Sequence, residues 1–117
     1  MRVAIVGSRG WADIDAIKRY IDGLPADTVI ISGGAAGVDT FAEEFANKRG
    51  LEVKIYYPDW NTHGRSAGMI RNGEIVADSD VVVAFWDGFS KGTRNTIDRA
   101  LNAPHIRGVR IEKKTAE

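Results

Sequence analysis

Three glycine-rich segments combine small residues with hydroxyl and cationic donors in a way that suits an anion. Gly7-Ser8-Arg9-Gly10 follows the apolar run Val3 to Val6. A glycine there lets backbone N–H groups approach an oxyanion, while Ser8 and Arg9 add donors. Ser32-Gly33-Gly34-Ala35-Ala36-Gly37-Val38-Asp39 joins a second apolar run to an amphipathic segment, whose helical N-terminus carries roughly half a positive charge. Its small residues leave room for a ligand to meet the amides. Asp39 either complements the helix dipole or contacts a ligand hydroxyl. In Trp86 to Thr93, Ser90, Lys91 and Thr93 place donors around Gly92. Arg71 and Asn72 fall about a turn and a half inside a helix predicted from Ser66 to Ala77, from which the arginine can reach back to a phosphate.

Other chemistry is thinner. The dinucleotide fingerprint G-x-G-x-x-G and the P-loop pattern are absent. The chain has no cysteine, which excludes disulfides, thiolate zinc sites and cysteine nucleophiles and fits a reducing compartment. His63 has no histidine neighbour nearer than His105, so a surface role is expected of it and no metal site. Trp60 is expected to cover the sheet edge, with stacking on a base as its alternative. No Ser-His-Asp constellation or forced carboxylate pair is present, so the residues point to binding rather than catalysis. Sixteen basic residues balance sixteen acidic ones, which leaves no long-range attraction for nucleic acid or anionic membrane, and any anion site must be local.

The elements that position these segments follow from periodicity. Apolar, mostly β-branched runs at Val3 to Val6, Thr28 to Ile31, Glu52 to Tyr56, Asp80 to Phe85 and, more weakly, Val109 to Ile111 read as strands, mostly buried on both faces. Between them the apolar residues recur at helical spacing, as in Ile14, Ile17 and Ile21, or Val38, Phe41, Ala42 and Phe45. Gly23 and Gly50 sit where helix C-terminal caps belong. Strict alternation predicts an α/β, Rossmann-like three-layer domain with a parallel sheet of about five strands and four main helices. Length and composition predict a single domain over 1–117 with a fraying tail at 112–117. Of thirteen glycines, nine lie in or just beyond the loops leaving the first four strands, the edge where ligands of such sheets bind. The loops at Gly7, Gly33, Gly88 and Gly92 are therefore expected to share one pocket. No apolar run is long enough to span a membrane, and a cytoplasmic location is expected.

Gly7-Ser8-Arg9, Ser32-Gly33-Gly34-Ala35-x-Gly37-Val38-Asp39, Gly68-x-x-Arg71-Asn72 and Ser90-x-Gly92-Thr93 together resemble the YspA-type, YpsA-related SLOG family, over nearly the whole chain. The resemblance implies a Rossmann-like fold and recognition of a nucleotide or nucleotide-derived ligand, AMP-like or ADP-ribose-like, with no required cofactor. It also implies a homodimer, as does the share of tryptophan and phenylalanine. Two branches bracket the chain. The cytokinin-activating LOG phosphoribohydrolases carry glycine-threonine followed by glutamate, whereas Gly92-Thr93 here precedes Arg94, Asn95 and Thr96, so the acid tied to N-glycosidic hydrolysis is missing. Arg71 matches that branch's helix arginine. The DNA-processing protein A branch has a loop similar to Ser32 to Asp39. A nucleotide sensor or carrier is therefore the expected function. A glycosidic hydrolase with Asp39 or Asp87 as substitute acid, and a single-stranded DNA binder, are its rivals.

Overall fold

Each β-branched run pairs edge to edge with another because its backbone N–H and C=O groups need partners, while its apolar faces need helices to cover them. In a computed structural model describing residues 1–113, strands β1 (Arg2–Gly7), β2 (Val29–Ser32), β3 (Glu52–Ile55), β4 (Val81–Trp86) and β5 (Gly108–Lys113) form one sheet in the order β3-β2-β1-β4-β5. All four pairings are parallel. Strand order reverses between β1 and β4, the switch point outside which such sheets leave a crevice.

Period-two alternation decides which side chains meet which layer. Val3, Ile5, Ile30, Val83 and Phe85 pack under α1 (Ile14–Asp22) and α2 (Val38–Lys48). Ala4, Val6, Ile31, Val82 and Ala84 pack under α4 (Ala67–Ala77) and α5 (Lys91–Leu101). These are the four main helices of a three-layer α/β Rossmann-like fold, and the short helix α3 (Trp60–His63) with a 3-10 turn at Gly64–Ser66 leads into α4. The burial expected on both faces holds for β1 and β4. Edge strands β3 and β5 instead expose part of each run, because only one neighbouring strand covers them. Asp78, after α4, gathers Arg2, Tyr56 and Lys54 at 2.7 to 3.0 Å. The Arg2 guanidinium foremost holds its carboxyl well below the usual carboxylate range, and the cluster ties β1, β3 and α4 together.

One boundary follows the sequence expectation and one departs from it. Gly50 does close α2, its N–H donating to Asn47 and that of the buried Leu51 to Ala46 at 3.0 Å each, the Schellman arrangement. At the other end, Glu112 and Lys113, expected in the tail, continue β5 and pair with Phe85 and Trp86. The ladder with β4 supplies partners that periodicity could not reveal. The rest of the expected tail lies outside the described residues.

Gly7 ends β1 where space is shortest, since a Cβ there would lie 2.6 Å from both the Phe85 carbonyl oxygen and Val38 Cγ2. Gly7→Ala should therefore destabilise the fold by about 1–3 kcal/mol, the usual cost of overpacking. Urea unfolding should show a lower midpoint at unchanged slope, and an unchanged midpoint would mean the β1 end has more freedom than its contacts show.

Candidate functional site

At the carboxyl ends of β1 and β4 the two loops are stitched together by hydroxyls. The buried Ser8 receives the Asp87 N–H at 3.0 Å and lies 2.6 Å from Ser90 Oγ. Asp87 Oδ1 accepts the Phe89 and Ser90 amides at 2.8 Å each. Those amides, Ser90's first, hold its carboxyl below the ordinary carboxylate range. Asp87 is thus an ionised loop organiser. Ser90, occupied by Ser8 and Asp87, makes no side-chain cap to α5, and among the described residues the first-turn amides of that helix have no side-chain acceptor.

The loop after β2 closes on itself. Asp39 is 4% exposed, and its Oδ2 accepts the N–H groups of Gly33 at 3.1 Å and Ala35 at 3.2 Å. These amides were expected to meet a ligand phosphate, yet they hold the chain's own carboxylate. Burial pushes Asp39 up to about 6, against the Ala35 amide and the Arg71 guanidinium, with Glu43 adding to the rise. Arg71 donates Nη1 to the Gly33 carbonyl and Nε to Asn72 at 3.1 Å. Only glycine allows this, since a Cβ on residue 33 would stand 2.7 Å from Arg71 Nη1 and 2.9 Å from Asp39 Oδ2.

The remaining glycines of that loop serve packing. Gly34 has φ +68 and lies under the Tyr57 ring, so the room expected for a ligand is filled. Gly37, at φ +86, lets the Arg9 backbone approach. Ser32 is buried and donates to Glu43 at 2.6 Å, and the buried Val38 lies beneath Gly7.

A cavity of about 470 Å³ opens where these loops meet, within the range of small-molecule sites. From the β1 loop Gly7, Ser8 and Arg9 line it; from the β4 loop, Asp87, Ser90, Gly92 and Thr93; from the helices, Asp39, Arg71 and Asn72. Ser32, Gly33, Gly34, Gly37, Val38 and Gly88 are not on its wall, and of these Gly33 supports it through Asp39 and Arg71. The buried Asn72 latches α4 to α5, its Nδ2 lying 3.3 Å from the Gly92 carbonyl and 3.2 Å from Asn95 Oδ1. Arg65, Met69 and Thr96 also line the cavity. Arg65 lies in the 3-10 turn before α4 and was not expected in the site. Helical spacing from Asn72 and Thr93 was the only signal for the others. His63 is exposed on α3, and among the described residues no cluster of three or more His, Cys, Asp or Glu could hold a metal. No described helix is long and apolar enough to cross a membrane.

The model of the YspA, cpYpsA-related SLOG family matches residues 1–63, a span holding the β1 and β2 loops but neither Arg71 nor the β4 loop. The Gene 61 protein of Mycobacterium phage D29 is 38% identical over 112 residues, covering 87% of this chain and 90% of that protein. Among solved structures, DNA processing protein A from Streptococcus pneumoniae superposes with a TM-score of 0.73 at 22% identity, over 86% of this chain and 46% of that one. That likeness is one of fold, and this chain spans less than half of its length.

The Asp39 environment makes stability pH-dependent. Its ordinary value of 3.8 becomes about 6 in the fold, so between these values the folded state keeps a proton that the unfolded state has lost. The group's stabilising contribution is full below the lower value and is lost as pH rises through the higher one. The stability of wild type relative to Asp39→Asn should be on the order of 2–3 kcal/mol greater near pH 4 than near pH 7. Urea unfolding across that range measures it, and a pH-independent difference would mean Asp39 titrates as an exposed carboxylate.

Proposed function

Because the chain belongs to the YspA, cpYpsA-related SLOG family, we propose that it binds a nucleotide or nucleotide-derived phosphate ligand, AMP-like or ADP-ribose-like, as a sensor or carrier. One observation carries this reading. The N-terminus of α5 has no side-chain cap, and Gly92, where a Cβ would meet nothing within 4 Å, opens it directly onto the cavity. Uncapped helical amides with their dipole favour a phosphate. Arg9 and Arg65, both exposed on the cavity wall, supply cations that screen its charge. The β2 loop, already neutralised by Asp39, serves to fix Arg71 rather than to cradle the phosphate itself.

A second reading, cleavage of the nucleotide N-glycosidic bond, is favoured by the Asp39 carboxyl, which faces the cavity and titrates at about 6, a range suited to a general acid. Against it, Oδ2 is held by two loop amides. A homodimer is also proposed, supported by the exposed apolar side chains of Tyr57, Ile70 and Leu101. A monomer mass by light scattering at high micromolar concentration would remove that claim alone.

AMP or ADP-ribose at about a hundredfold over its dissociation constant should stabilise the protein by about 2.7 kcal/mol in a thermal-shift assay. Arg9→Ala should weaken binding by about tenfold or more, the range for a charged hydrogen bond. No thermal response to either compound at millimolar concentration would sink the reading. Prolonged incubation with AMP should release no adenine; release that disappears in Asp39→Asn would establish the hydrolase instead.

A further inference from the structure

The segment between β3 and α4 presents an aromatic surface beside the cavity. Asp59 Oδ1 accepts the Thr62 N–H at 3.1 Å, and the Asp59 carbonyl accepts that of His63 at 3.0 Å, which fixes the turn carrying Trp60. The Trp60 side chain is 59% exposed, and its Cη2 lies 3.8 Å from where a Cβ on Gly68 would stand. Gly68 and Met69 form the cavity wall, with Arg65 beside them, and Met69 is 54% exposed. A large apolar surface left in water at the rim of a polar cavity contributes little to folding, since the stabilisation comes from burial. Indole and thioether side chains are soft, flat-packing partners for an aromatic ring.

The geometry points to Trp60 and Met69 as the subsite for the base of a mononucleotide whose phosphate lies at the N-terminus of α5. This rests on the nucleotide reading above and adds where the base goes. Stacking tolerates any base because every base has a π-face, and the Arg65 guanidinium can close over it. A free nucleotide is favoured over a strand for two reasons. The zero net charge of the chain gives a polyanionic backbone no general attraction, and a cavity of about 470 Å³ is of small-ligand size.

The test compares AMP with ribose 5-phosphate by titration calorimetry on wild type, Trp60→Ala, Trp60→Phe and Phe89→Ala. AMP should bind wild type about tenfold or more tighter than ribose 5-phosphate, the gain expected from one stacked base. Trp60→Ala should abolish that advantage while leaving ribose 5-phosphate affinity in place, and Trp60→Phe should restore most of it. AMP should also quench tryptophan fluorescence in wild type and Phe89→Ala, but not in Trp60→Phe. Equal affinities of wild type for the two compounds would overturn the base subsite and spare the phosphate site; failure of both to bind would overturn the nucleotide reading itself. Loss in Phe89→Ala but not in Trp60→Ala would move the base to the β4 loop and refute the assignment. So would an oligo-dA strand binding far more tightly than AMP, or a Trp60→Ala variant altered in mass by light scattering and unaltered in AMP affinity.

Discussion

A carboxylate taken out of water must be given donors by the protein, and Asp39 finds them in the loop that precedes its own helix. The Gly33 and Ala35 amides and the neighbouring Arg71 offset part of its desolvation, which would otherwise cost several kcal/mol. That arrangement sets the course of the β2 loop, holds Arg71 against the Gly33 carbonyl, and leaves Gly33 no room for a side chain. Burial draws Arg71 down from its ordinary value while Asp39 and Glu74 draw it up. The pair is therefore held in the cavity wall by the chain's own groups.

The opposite wall uses the same device at lower cost. Asp87 stays partly in water and organises its loop through two amides, while Ser8 and Ser90 join β1 to β4. Since Ser90 is spent on that junction, α5 begins without its usual side-chain cap. The two loops resemble one another in sequence, both glycine-rich and both opening a helix. They differ in whether the chain's own carboxylate has taken the amides. In the β2 loop it has; at α5 Asp87 serves the residues before the helix and leaves its first turn open.

Position in the sheet explains why these walls meet. β1 and β4 are neighbours although Val81 lies 74 positions after Gly7, and the reversal of strand order there opens the crevice. The 3-10 turn and the start of α4 then close one side with Arg65 and Met69, exposed side chains that have little to do with folding the sheet.

The alternation of buried strands and amphipathic helices, and with it the three-layer parallel fold, was legible in the sequence because side-chain periodicity is a local property that each segment carries by itself. Local too was the concentration of Gly7, Arg9, Gly92 and Thr93 on the sheet's carboxyl edge, since parallel topology sends all strand ends the same way. Only the tertiary structure decided how each amide is spent. Nothing in Ser32 to Asp39 says that Asp39 will fold back onto Gly33 and Ala35, or that Tyr57 will fill the space over Gly34. The pairing of Glu112 and Lys113 with β4, and the placing of Arg65 and Met69 on the wall, depend likewise on partners distant in sequence. Hydrogen-bond satisfaction and close packing are settled by three-dimensional neighbours, and those neighbours exist only once the chain has closed on itself.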